Sequence, residues 1–173
     1  MDFLLSASPE VKEYLVDSKK EVARHLKINC EQFITDTTNI YTVTLKRFLT
    51  QANAFTTTTS VVTPGSLNTQ SKETPQTENK SLPNQSFAKA EKVHEIVDQC
   101  YKTIKKKTPE IYKSLSLYLA QPDVEQILFK PVRLNVLQVF QQLVNVLQEN
   151  YTEEDQAIIA VPSQEQLSLL LSK

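Results

Sequence analysis

The two histidines and their acidic neighbours are the first residues to test for chemistry. His25 follows Glu21 by one helical turn, and His94 lies between Glu91 and Asp98. A histidine beside a carboxylate can act as a general base, and a larger set of such side chains can bind a metal. In a helix, however, pairs at these spacings are ordinary surface contacts. Since His94 and Asp98 supply only two ligands, we predict no catalytic, cofactor-binding or metal-binding residues.

The two cysteines, Cys30 and Cys100, are too few for a disulfide framework. Each lies in a helix-like stretch, which favours two reduced, packed thiols that behave as small apolar side chains. A single bridge between two helices is the alternative.

Four lysines form the basic cluster of the chain: Lys102, Lys105, Lys106 and Lys107. We place them in the last turns of a helix that ends near Lys107, where positive charge stabilises the helix dipole. The alternative is a contact with anionic lipid or with an acidic partner. Aromatic residues are not interleaved with these lysines, and the net charge of -1 provides no overall attraction for nucleic acid.

The amino-acid composition indicates which kind of secondary structure carries these side chains. The chain has 173 residues and a single glycine, Gly65, where an average usage of roughly 7% would supply about a dozen. Phosphate-binding loops, dinucleotide folds and nucleophile elbows need glycine where the backbone turns tightly. The deficit therefore favours helices and disfavours the common enzyme scaffolds. No run approaches the roughly 18 apolar residues of a membrane span, and the start of the chain does not resemble a secretory signal.

We predict an all-α protein, an elongated bundle of about five to seven helices with one disordered internal loop. Residues 1–55 should hold a short leading helix, begun by Ser8 and Pro9, and a long helix begun by a capping-box pattern at Ser18. Part of the long helix should project and meet another chain, because its length exceeds that of a compact domain. Its apolar stripe comprises Val22, Leu26, Cys30, Phe33, Thr37, Ile40, Tyr41, Leu45 and Phe48.

Residues 56–85 are rich in Thr, Pro, Ser, Asn and Gln and hold few large apolar side chains. Such a segment cannot bury enough surface to offset its ordering entropy, so we predict a disordered loop inside a single domain.

Residues 86–173 are predicted to form a C-terminal helical bundle. Thr108–Pro109 and Gln121–Pro122 should each break a helix, and Pro131 should begin the last long one. Capping-box patterns at Thr152 and Ser163 should begin two short helices. The apolar tail, Leu167 with Leu169, Leu170 and Leu171, must dock on the domain or on a partner.

Several runs, spread over nearly the whole chain outside the loop, resemble one known family. They are Val16–Val22, Arg24–Lys27, Cys30–Ile34, Tyr101–Lys105, Ser114–Leu119, Ile127–Arg133, Val139–Gln141 and Pro162–Lys173. In this order they resemble the C-terminal region of subunit 3 of the conserved oligomeric Golgi complex.

The resemblance implies a non-enzymatic helical module of a vesicle-tethering subunit that acts in intra-Golgi retrograde transport through protein–protein contacts. It implies other subunits of the same complex as partners and, more loosely, SNAREs, Rab GTPases and coat proteins, without nucleic acid or a cofactor. It also implies a peripheral place at the cytoplasmic face of the Golgi membrane and in the cytosol.

Two alternatives of other classes remain. A secreted four-helix signalling protein would suit the long helices, the two cysteines and the sequons at Asn79, Asn84 and Asn150. A small helical enzyme would require His94, Asp98 and another acid to converge in a deep pocket.

Overall fold

The computed structural model describes residues 8–60, 81–119 and 121–172, with side chains described from residue 17 and, in the first range, up to residue 58. Within these ranges the chain is helical and forms no strand. The helices are α1 (Ser8–Ser60), a 3-10 helix (Leu82–Asn84), α2 (Ala90–Tyr118), α3 (Pro122–Asn150), α4 (Glu153–Ile159) and α5 (Gln164–Leu170). The predicted all-α bundle is confirmed.

The predicted division of the first segment into two helices is wrong. α1 runs without a break from Ser8 to Ser60 and passes through Ser18. The residues after Ser18 are strong helix formers with neither glycine nor proline among them, so nothing ends the preceding turn. The helix also continues past Phe55, where threonine hydroxyls donate to carbonyls one turn earlier, as from Thr57 Oγ1 to Asn53 O at 2.8 Å.

The predicted loop is consequently too long at both ends. Residues 56–60 extend α1, and Leu82–Asn84 form the 3-10 helix. Leu82 is buried beneath this turn and Ala88 is buried shortly after it, and burial of apolar surface holds the backbone in place there. The rest of the predicted loop, residues 61–80, lies outside the described residues.

Two helices continue through prolines that the sequence predicts as boundaries. α2 contains Pro109 and α3 contains Pro131. An internal proline removes one helical hydrogen bond and crowds the carbonyl four residues earlier. Buried neighbours offset this cost, among them Tyr112 in α2 and Val132 in α3. Pro122, by contrast, lies in the first turn of α3, and the predicted break before it is confirmed.

The core lies where the second half of α1 packs on α2 and α3. Tyr41 Oη lies 3.2 Å from Thr108 Oγ1, and Thr44 Oγ1 lies 3.2 Å from Cys100 Sγ. Because position rises along α1 while it falls along α2, the two helices are antiparallel. The largest fully buried side chains are Tyr41, Phe48, Phe129, Phe140, Leu45, Ile104, Leu143, Ile159, Leu167, Leu171, Val93 and Val132.

The last two helices begin at the predicted capping boxes. Thr152 Oγ1 accepts from the Asp155 amide at 3.2 Å, and Ser163 Oγ accepts from the Gln166 amide at 3.2 Å. In each box the third helical side chain also accepts from the backbone amide of the cap. Leu171 is fully buried, with Leu167, so the apolar tail docks on its own bundle.

Candidate interaction surfaces

His94 links α2 to the end of α4. Its Nδ1 lies 3.0 Å from the carbonyl oxygen of Ile159. A carbonyl can only accept, so Nδ1 carries the hydrogen and donates it. Asp98, one turn further along α2, forms an ion pair of 2.6 Å with Lys102. Both side chains therefore have structural partners.

A shallow cavity of about 360 Å³ is lined by His94 and Asp98, together with Tyr101 and Gln166. No second acid is among its lining residues, so the arrangement required by the enzymatic alternative is not assembled there. In the described part of the chain, no group of three or more His, Cys, Asp and Glu side chains is placed to hold a metal ion.

His25 lies on the exposed face of α1. Its Nε2 is 3.7 Å from Glu21, which also lies 3.6 Å from Arg24. The predicted surface pairing of His25 is confirmed.

Neither cysteine forms a disulfide bond. Cys100 is buried against α1, and Cys30 is half-buried on α1. Burial raises the pKa of the Cys100 thiol, an effect that its contact with the Thr44 hydroxyl partly opposes. The alternative of a bridge between helices is therefore not realised.

The predicted dipole role of the four lysines is wrong. α2 continues to Tyr118, well beyond Lys107, whereas the helix-dipole effect falls off within the last turn. Lys102 pairs with Asp98, and Lys107 pairs with Glu110 at 2.7 Å. The hydrogen bond from Lys107 lowers the pKa of the Glu110 carboxyl.

Lys105 and Lys113 of α2 border a groove whose other side is α5. The groove encloses about 560 Å³. Leu169, which points into it, is 76% exposed. The lining residues are Lys105, Thr108, Pro109, Tyr112, Lys113, Ser116, Leu169, Leu170 and Ser172. We call this the α2–α5 groove.

Sequence reasoning does not identify this groove. The tail shows four leucines within five residues, and their spacing does not indicate which of them pack inward. The prediction that α2 ends near Lys107 also separates Lys105 from Lys113, which lie on one continuous helix.

The first half of α1 is a second exposed surface. Every described side chain from Asp17 to Asn29 is exposed. Val22 and Leu26, the first two members of the predicted apolar stripe, are 67% and 63% exposed. This half of α1 extends beyond the core, because α1 has 53 residues and the helices packed on it have 29 each. None of the described helices combines the length and apolar character that a membrane span requires.

Comparison with known families decides what kind of domain this is. The profile of the COG3 C-terminal cap domain matches residues 25–173. The chain belongs to the COG3 C-terminal cap domain family. In this cap domain the match covers the core, the α2–α5 groove and the later part of the exposed half of α1.

Curated relatives of the cap domain carry the name conserved oligomeric Golgi complex subunit 3. The mouse protein is 44% identical over 172 residues, which is 99% of this chain and 19% of the mouse protein. The human protein is 44% identical over 171 residues, with the same coverage. The protein of Drosophila melanogaster is 34% identical over 175 residues, again 99% of this chain and 18% of its own length.

The chain thus spans about a fifth of the length of these relatives, which is 19% for the mouse protein. No solved structure matches it. The predicted family is confirmed.

Proposed function

We propose that this cap domain is a non-enzymatic module of a vesicle-tethering subunit that acts in intra-Golgi retrograde transport through protein–protein contacts. The observation that carries the proposal is the 44% identity to the mouse and human subunits across 99% of the chain. Its working partners are then the other subunits of that complex, with SNAREs, Rab GTPases and coat proteins as further candidates.

The side chains that could take part in catalysis are engaged in structural contacts, which favours a role in binding. His94 and Asp98 each have a structural partner, and Cys100 is buried with its pKa raised. Large exposed apolar side chains lie on each of the described α-helices, including Val22 and Leu26 on α1 and Leu169 at the α2–α5 groove, and exposed apolar surface is typical of protein contacts. The module then works at the cytoplasmic face of the Golgi membrane and in the cytosol, held peripherally through its partners.

We also propose that α1 and the C-terminal helices form one domain. Tyr41, Leu45 and Phe48 of α1 are buried in the same core as residues of α2 and α3. A separate α1 would expose these side chains, at a cost of about 1.5–3 kcal/mol for each.

A chimera tests the proposed function. In mammalian cells that lack subunit 3, the matched C-terminal region of the mouse subunit is replaced by this chain. We expect the chimera to co-precipitate the other subunits and to restore the retention of Golgi-resident glycosyltransferases, measured by lectin binding at the cell surface. Resident enzymes are the appropriate readout because retrograde transport returns them to their compartment.

The mouse subunit without its C-terminal region is the matched control. If a folded chimera restored no more retention than this control, the proposed transport role would be wrong. If it failed to recover any other subunit, the proposed partners would be wrong as well.

A further inference from the structure

We propose that the α2–α5 groove binds an acidic amphipathic helix of a partner protein. The inference rests on the proposed function, because it names the kind of segment that a module of this type would hold. It is argued from the shape of the groove, its apolar lining and its lysines.

The wall formed by α5 is preformed. Leu167 and Leu171 are fully buried, and Tyr112 Oη donates to the Leu171 carbonyl at 3.4 Å. Gln164 Nε2 donates to Gln141 Oε1 of α3 at 2.6 Å. A helix anchored at both ends needs no ordering when a ligand arrives, which lowers the cost of binding.

The groove offers apolar surface that the fold does not need. Leu169 lies between buried Leu167 of α5 and buried Leu171, which directly follows that helix, and it is 76% exposed beside Pro109 of α2. Apolar side chains spaced along one face of a partner helix could cover it, as in other complexes where a helix occupies a groove.

Among the described residues that line the groove, the charged side chains are two lysines and no acid is present. Lys105 and Lys113 both line it, and they lie roughly two turns apart, about 12 Å along α2. Among the described residues, no ion pair joins either lysine to an acid, whereas Lys102 and Lys107 are each paired on α2 itself. Two such ammonium groups along an apolar floor complement carboxylates that flank an apolar stripe.

An anionic membrane fits this surface less well. Membrane attraction needs a cluster of roughly four to eight basic side chains facing one plane. Here Lys102 and Lys107 are each paired with an acid on α2, whereas Lys105 and Lys113 border a concavity of about 560 Å³. A helix that packs at about 8–10 Å from α2 and α5 matches a concave site better than a flat bilayer does.

The test uses the full chain and three synthetic helical peptides with one shared leucine stripe. The stripe is flanked by glutamates in the first peptide, by glutamines in the second and by lysines in the third. Fluorescence anisotropy at low salt should give the tightest binding for the glutamate peptide and the weakest for the lysine peptide. Added salt should weaken the glutamate complex, because partly exposed ion pairs are screened.

A charge swap makes the test specific to the groove. Lys105→Glu with Lys113→Glu should lower the affinity for the glutamate peptide about tenfold, a scale set by two exposed ion pairs turned repulsive. The same variant should bind the lysine peptide more tightly. Leu169→Asp should weaken all three peptides. The matched control, Lys20→Glu with Lys130→Glu, makes the same change of net charge on exposed sites elsewhere and should bind like the original chain.

Reversed preference in the swapped variant also demonstrates that the variant is folded. The proposal is overturned if the three peptides bind alike, if none binds, or if the control variant loses as much affinity as the groove variant. It is equally overturned if phosphatidylserine vesicles bind through Lys105 and Lys113 while the glutamate peptide does not. Co-precipitation by the chimera would be untouched by these failures, so the groove and the proposed function are tested separately.

Discussion

At the level of single residues, the buried hydroxyl of Tyr151 makes a hydrogen bond that connects two distant parts of the chain. Its Oη donates to the Ala88 carbonyl at 2.6 Å, across 63 residues of chain. Tyr151→Phe leaves that buried carbonyl unsatisfied, so we expect the free energy of unfolding to fall by about 1–2 kcal/mol in urea denaturation. The matched control is Tyr118→Phe, whose ring is 88% exposed. An equal loss in both variants would contradict the role of the hydrogen bond.

Tyr41 predicts how stability depends on alkaline pH. Burial raises the pKa of Tyr41 from 10.0 to about 12, although the bond to Thr108 opposes the shift. Since the folded state holds the proton more tightly, this contribution is complete below about pH 10 and is lost as pH rises toward 12. Urea midpoints measured between these values should fall more steeply for the original chain than for Tyr41→Phe. Parallel slopes would show that Tyr41 does not titrate as proposed.

The two cysteines should differ in reactivity with a disulfide reagent. The thiolate is the reacting form, and burial raises the pKa of Cys100 while also blocking access to it. Half-buried Cys30 should therefore react first in the native chain, and Cys30→Ser should remove the fast phase. Mass spectrometry of partly labelled protein would show which cysteine reacts first. In denaturant the two cysteines should react at similar rates.

At the level of the helices, the sequence predicts apolar periodicity and capping boxes better than it predicts where the long helices begin and end. The stripe of α1 identifies Tyr41, Leu45 and Phe48 as core, and both capping boxes form as predicted. Caps are local, because their hydrogen bonds lie within one turn. The same periodicity covers Val22 and Leu26, which remain exposed. They are exposed because the helices that pack on α1 are shorter than α1 itself. α1 has 53 residues, whereas α2 and α3 have 29 residues each.

The internal proline of α2 provides a test of how far packing overrides local preference. Pro109→Ala restores a helical hydrogen bond to the Lys105 carbonyl, a change that favours the helix by up to about 3 kcal/mol. The more flexible unfolded chain offsets about 1 kcal/mol of this. We expect a net gain of about 1–2 kcal/mol in urea denaturation. Pro122→Ala, in the first turn of α3, should give no gain, and equal gains at both sites would contradict this account.

At the scale of the whole molecule, the core and the exposed half of α1 should be separable. Removal of residues 1–29 deletes only exposed side chains among those described. The free energy of unfolding should therefore change by less than about 0.5 kcal/mol, although helical circular dichroism will fall. Leu45→Ala, which opens a cavity in the core, should cost about 2–5 kcal/mol and provides the contrast. A large loss on truncation would mean that this half of α1 supports the core.

The family resemblance and the all-α class could be predicted from the sequence, because both depend on patterns along the chain. The α2–α5 groove could not be predicted, since it depends on which leucine of the tail packs inward and on α2 continuing past Pro109. Lys113 becomes a neighbour of Lys105 only when that helix is unbroken, and Leu169 becomes exposed only when its neighbours are buried.

The length of α1 has a mechanical consequence. From Ser8 to about Gln32 it runs for roughly 37 Å at 1.5 Å per residue, and its other half is clamped in the core. The exposed half would therefore tilt as a rigid rod about a point near Phe33, where the helix meets the core. A tilt of about ten degrees there would carry the far end by about 6 Å, given the rise per residue of a rigid helix. Small shifts in packing around Tyr41 would thus be magnified into displacements comparable to a full helical turn.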